Sequence, residues 1–191
     1  MVLQFREIEL EDARKILDWR LSPRIASQMI TEISDDIHAQ KQWIVNSYSK
    51  PDFYHWIIQT DNIDIGYCSF AEYDSANKIT ECGFYIGEVE HSVLAIPALA
   101  MLYNFLFTAL AVNEIHISVF EGNRVSRLHE ASGYTRIPSQ DERIVKHGEE
   151  INLLKYVLTK EAFLNRSRTI VIPKAPVPLE KWNGCPWRDR K

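Results

Sequence analysis

Cysteine is scarce in this chain, and the three present, Cys68, Cys82 and Cys185, form no CxxC pair. An odd, widely spaced set excludes a disulfide framework and a zinc site built on paired thiolates; it suits free thiols in a reducing compartment. No metal site is expected. A basic excess is missing too, since 22 Lys and Arg stand against 26 Asp and Glu, for a net charge of -4. The chain offers nucleic acid no general attraction, and any anion it binds is held locally. The first residues, MVLQFREIELEDARK, are charged and lack an apolar run with a small-residue cleavage site. No secretory signal is expected, and the expected location is cytoplasmic.

What the chain does have is ordinary for one compact domain: 191 residues, 46% of them hydrophobic and 25% charged. One stretch raises a question. From Val93 to Val112 no residue is charged, and about 20 apolar residues are enough to cross a bilayer. Its flanks are Glu88, Glu90 and His91 before and Glu114 after, not the Lys and Arg that anchor a span, and Pro97, Asn104 and Thr108 interrupt it. The segment is expected to be a helix covered by the rest of the fold, with no membrane partner.

Leu3 to Ile8 alternate like a strand, and Glu11-Asp12 open a helix through Leu21, which Ser22-Pro23 stops. A second helix fits Asp36 to Tyr48, with Ile37, Gln40, Trp43 and Ile44 on one side. YHWIIQ, DIGYCSFAEY and ITECGFYIG read as three strands before the apolar helix. EIHISVF then reads as a strand, followed by a helix ending at Gly133 and by two strands, TRIP onward and INLLKYVLT. A sheet with helices on both faces buries an intervening helix almost completely, as the apolar segment demands.

This order of elements, the strand-helix start and the motif NRVSRLHEASGY resemble the GNAT acetyltransferase superfamily over about residues 2 to 163. Within it, LDWRLSPRIASQM and RLHEASGY resemble acetyltransferases of nucleotide-linked amino sugars, such as PseH of the pseudaminic acid pathway. The resemblance implies an α/β (α+β) GNAT fold, a mixed central sheet of about six to seven strands with helices on both faces. It also implies acetyl-CoA as co-substrate and, as acceptor, a small-molecule amine of the nucleotide-linked amino sugar class.

In such a fold two parallel strands part, and their exposed backbone grips the pantetheine arm. Here these strands are ITECGFYIG, with Phe84, Tyr85 and Ile86 against the coenzyme, and EIHISVF. The apolar helix then turns its free N-H groups to the pyrophosphate, with Ser92 and Ala95 at its start. The loop GEVEHSVLAIPALA departs from the family, having no glycine after Gly87 and acidic residues where phosphate would sit. His129 occupies the place of the family's tyrosine near the coenzyme sulfur; an imidazole near its ordinary pKa of about 6.5 exchanges protons at neutral pH. Its alternative is a surface or core-edge histidine. Glu81 is the second catalytic candidate, as acceptor of the amine proton, or else a solvent-facing strand residue. Asn123 and Ser126 match the family's coenzyme-contacting pair, with Gly122 an alternative for the first and helix capping an alternative role for Asn123.

Trp19, Arg20, Arg24 and Met29 are the acceptor-side candidates. Guanidinium matches phosphate oxygens and indole stacks on a sugar or base. Trp19 on an amphipathic helix equally suits the core, and Arg20 equally braces a carboxylate. Trp43, Tyr54 and Trp56 suit either a core or a sugar-binding wall.

Residues 1 to 163 are thus read as the acetyltransferase domain and 164 to 191 as a proline-rich extension, holding four prolines, with Val171, Ile172, Trp182 and Trp187 as anchors on the domain or on a partner subunit. A homodimer stays open. So do two other readings, an enzyme for another small amine or a protein N-terminus, and a non-catalytic binding protein with a degenerate coenzyme loop.

Overall fold

The structure is a computed structural model, and it describes residues 2–123, 125–167 and 172–185. Val171 and Trp187, two of the expected tail anchors, lie outside them.

The chain opens with β1 (Leu3–Glu7), a 3-10 turn at Leu10–Asp12 and α1 (Ala13–Leu21). Asp12 fixes this turn, because its carboxylate accepts the Glu9 N-H at 2.8 Å and both Nη atoms of Arg6. Ser22 leaves the helix in extended conformation and Pro23 starts a second short helix, α2 (Pro23–Ala26), which the sequence reading lacks. Proline needs no N-H at a first helical position, so the residue that ends α1 also begins α2. α3 (Ile37–Ser47) is capped by Asp36, whose side chain accepts from the N-H groups of His38 and Ala39.

β2 (Tyr54–Thr60), β3 (Ile63–Asp74) and β4 (Ile79–Ile86) form an antiparallel meander. α4 (Ala95–Thr108) then crosses to β5 (Glu114–Phe120), which lies parallel to β4. After α5 (Val125–Ala131) come β6 (Thr135–Arg136), β7 (Glu142–Lys146), β8 (Glu149–Thr159) and α6 (Lys160–Ser167). The expected strand from TRIP onward is two strands split by a 3-10 turn at Pro138–Gln140, since proline cannot continue a ladder. The result is a mixed eight-stranded sheet in the order β1-β2-β3-β4-β5-β8-β6, with β7 also on β8.

Two cores cover the two faces. On one face α4, α6 and the tail pack against Trp56, Phe70, Ile115 and Tyr156; on the other, α1 and α3 pack against Ile57, Tyr67 and Tyr85. The apolar segment is the core helix of the first face, with Ala98, Met101, Leu102, Tyr103, Phe105, Leu106 and Phe107 buried. From Val89 to Thr108 the chain is long and apolar enough to cross a membrane, but half of this stretch is buried inside the fold, less than the almost complete burial expected, because its first turns, with Val93 and Ile96, lie exposed. The tail runs over this same face: Trp182 is fully buried and gives its indole N-H to Lys50 O at 3.1 Å, and Trp56 gives its own to Pro178 O at 2.6 Å.

Candidate active site

Strands β4 and β5 are paired only from Ile79–Glu81 to Glu114–His116. Beyond that rung β4 continues to Ile86 on β3 alone and β5 to Phe120 on β8 alone. The two strands have parted, and their facing edges carry backbone N-H and C=O groups with no ladder partner from each other. Phe84, Tyr85 and Ile86 lie on this free edge of β4.

On the α4 side of the fork the lining is a chain of buried phenols. Cys82 Sγ lies 3.8 Å from the Tyr103 hydroxyl, to which the Tyr134 hydroxyl also bonds. The His129 ring meets the Tyr134 ring edge-on, 5.0 Å between centres. Burial pushes the Cys82 thiol up to about 12 and the His129 imidazole down to about 4. His129 is therefore neutral at pH 7, a correction to the expected imidazole near its ordinary pKa; low polarity around the ring disfavours the charged form.

The α1 side is different. Glu81 and Tyr85 project here, and His116 stands beside Glu81 on the last paired rung. Burial raises the Glu81 carboxyl, Glu72 adds to the rise, and Lys155 and His116 oppose it. Tyr85 stacks on Tyr67 with ring centres 5.2 Å apart. Its hydroxyl is buried and without a partner among the described residues. Burial raises the Tyr85 phenol, and the charge of Arg20 works against that rise. Arg20 itself uses Nη2 to bond Thr31 O at 3.1 Å and Thr31 Oγ1 at 2.9 Å.

The segment after α2 roofs the fork. Lys146, at the end of β7, is 6% exposed and donates to Ala26 O at 2.9 Å and Met29 O at 2.8 Å. Asn123 Nδ2 donates to Gln28 Oε1 at 2.6 Å, which ties the β5–α5 turn to the same segment.

A family model described as "Acetyltransferase (GNAT) domain" matches residues 3–135, more than half of the chain. The chain belongs to the GNAT acetyltransferase family. Solved structures agree on the fold. Spermidine N-acetyltransferase from Vibrio cholerae, in complex with CoA and spermine, superposes with a TM-score of 0.76 at 17% identity, over 85% of this chain and 98% of that one. FdhC, a nucleotide-linked sugar GNAT, gives 0.69 at 22% identity, over 87% and 92%. A probable acetyltransferase gives 0.69 at 20%, over 84% and 94%. Among curated proteins no sequence matches this chain.

In this acetyltransferase the remaining candidates are spread around the fork. Trp19 is 6% exposed, seated against Gly87 where any Cβ would collide with the indole, and donates to Glu88 Oε1 at 2.9 Å. Arg24 donates to Ile86 O and Gly87 O at 2.8 and 2.7 Å, so it closes the end of β4. Met29 is half-buried in the α1 core and takes part through its carbonyl. Ser92 sits in a 3-10 turn (Val89–Leu94) and donates to Val89 O at 2.6 Å; Ala95 is the first residue of α4, with Pro97 inside the first turn. Around them Val89, Val93 and Ile96 are 64%, 81% and 70% exposed.

The fit to coenzyme A is uneven. The open strand edges suit a pantetheine arm, and the Ser126 hydroxyl, buried and without a partner among the described residues at the start of α5, has a hydrogen bond to offer it. The start of α4 suits phosphate less than expected: it continues directly from the 3-10 turn, the Ala95 N-H already bonds Ser92 O, Pro97 has no N-H, and Glu88 and Glu90 are unfavourable neighbours. Tyr103, Tyr134 and Lys146 were missed from sequence. Only Tyr134 had a signal, as the aromatic residue of the SGY motif.

Proposed function

We propose that this acetyltransferase moves an acetyl group from acetyl-CoA to the amine of a nucleotide-linked amino sugar, a PseH-like activity in the cytoplasm. The observation that carries the reading is the division of the fork, with a carboxylate and a partly committed arginine on one side and a neutral imidazole on the other. Acetyl-CoA supplies an activated carbonyl. Glu81 takes the proton from the incoming ammonium, and its raised pKa makes it a better base than an exposed carboxylate. His129, neutral, presents a ring N-H to the sulfur as it leaves. Arg20 has donors left for a phosphate of the acceptor.

A second reading, a simple cationic amine as acceptor, is favoured by an open cavity of about 650 Å³ between α1 and the β4–α4 loop, where Glu11, Asp18, Glu88 and Glu90 outnumber Arg14, Lys15 and Arg24. Calorimetric titration with acetyl-CoA, then thiol release with UDP-linked 4-amino sugars and with spermidine, separates the two. Micromolar coenzyme binding with turnover on the sugar nucleotide is expected. Turnover on spermidine alone replaces the acceptor, and a folded protein that binds no coenzyme ends the catalytic reading.

A further inference from the structure

The amine proton that Glu81 takes must leave the site before the next turnover. A carboxyl held in a partly buried position needs a route to water. Beside Glu81 the structure holds a second titratable cluster that the reaction above does not use. His116 is its partner across the last parallel rung, so both side chains stand on the same face of the sheet. His116 Nε2 is 2.9 Å from Glu114 Oε2, and Glu114, the more exposed of the two, reaches the surface. A cavity of about 290 Å³ lies at the same place, lined by Glu81, His116, Gln140, Glu142, Lys155 and Tyr156.

We propose that His116 is a proton-relay residue that empties Glu81 through Glu114 and this cavity. It rests on the reading of Glu81 as the base. The Glu81 carboxyl gives its proton to the imidazole, the Nε2-H passes to the Glu114 carboxylate, and Glu114 releases it to water. One proton leaves the substrate ammonium and one reaches solvent; only N-H and O-H bonds change. Side chains from every adjoining strand set the balance: Glu72 on β3, Glu142 on β7 paired with Lys155 on β8 at 3.3 Å, and Glu114 on β5 itself. The influence of His116 on the Glu81 carboxyl, downward against burial, agrees with their proximity.

Two measurements test this independently. In the first, the His116 ring is titrated by NMR in the full-length protein, in Glu81→Gln and in Glu114→Gln. Removing either carboxylate is expected to change the His116 ring signals and their dependence on pH; ring signals unmoved in both variants overturn the relay whether or not the acceptor is known. In the second, thiol release is followed against pH for wild type and His116→Ala. A fall in kcat of about tenfold at neutral pH, with coenzyme KM kept and partial rescue by added imidazole, supports the relay. Unchanged kcat, or a loss shared by both KM values without rescue, overturns it. Should wild type acetylate no amine, the proposed function falls while the NMR titration still decides the coupling.

Discussion

On the α4 side of the fork, Cys82, Tyr103 and Tyr134 form a closed set of side chains that satisfy one another, and α4, α6 and the tail seal them from water. On the α1 side, Glu81 and His116 line an open cavity and Arg20 keeps spare hydrogen-bond donors, so the cover is thinner. The contrast separates two tasks that one sheet must do. A dry, fully packed face holds the two strands apart at a fixed angle, since close-packed side chains do not yield. A wet face then changes its protonation without loosening the fork.

Breaking the cover of the dry face has the largest expected effect. Trp182→Ala removes a fully buried ring that packs on Tyr54 and Phe70, so a loss of about 3–5 kcal/mol is expected in denaturant unfolding. On the other face, Trp43 is 36% exposed, and Trp43→Ala should cost less than about half of that. Equal losses would mean that the two faces are covered alike.

Acid probes the faces through two neutral histidines. His55 is buried on the α1 side between Ser47 and Tyr67, and burial brings its pKa down to about 3. The unfolded chain binds a proton near pH 6.5 that the folded chain refuses, so stability is constant above that pH and falls as pH drops from about 6.5 toward 3. His129 adds a second, shorter slope ending near 4. Each unit is worth about 1.4 kcal/mol, so His55 alone accounts for on the order of 4 kcal/mol at the acid end. His55→Asn should flatten most of this slope in unfolding measured from pH 7 to pH 3. An unchanged slope would assign the acid sensitivity elsewhere.

At the fork itself, His129→Ala is expected to lower turnover by more than about tenfold, equivalent to roughly 1.4 kcal/mol of barrier, while calorimetric coenzyme binding is kept. Because His129 is neutral well above pH 4, the loss should be the same at pH 6 and pH 8. Unchanged kinetics would remove His129 from the mechanism and leave the dry face purely structural.

Much of this arrangement is written locally. Alternation and helical spacing mark the strands and helices, Asp36 announces α3, and the charge-free run from Val93 to Val112 marks the helix whose later turns fill the core beside the sheet. What is not legible depends on distant partners. The rung where β4 and β5 part is set by the register of Glu81 on His116, and no local pattern encodes the register of parallel strands. The short α2, built on four residues, is below the length at which periodicity speaks. Trp19 is compatible with either exposure or burial until Gly87 is seen to make room for it. Lys146 looks like a hairpin charge in the sequence, and only the fold brings three backbone carbonyls of the α2 segment to it.

The smallest effect sharpens the comparison most, because it separates binding from support on the wet face. Arg20 has one nitrogen holding Thr31, so Arg20→Ala removes both a brace and the spare donors. Loss of the donors weakens an anionic acceptor, and loss of the brace loosens the roof that acceptor and coenzyme share. If Arg20 reads the acceptor, its KM should rise by about tenfold while coenzyme affinity changes by less than about twofold. Arg20→Lys should restore little, since an ammonium lacks the fork that pairs with phosphate. Equal losses for both ligands would show that Arg20 only props the segment from Ala26 to Thr31, and the acceptor's phosphate would then have to be met from another side of the cleft.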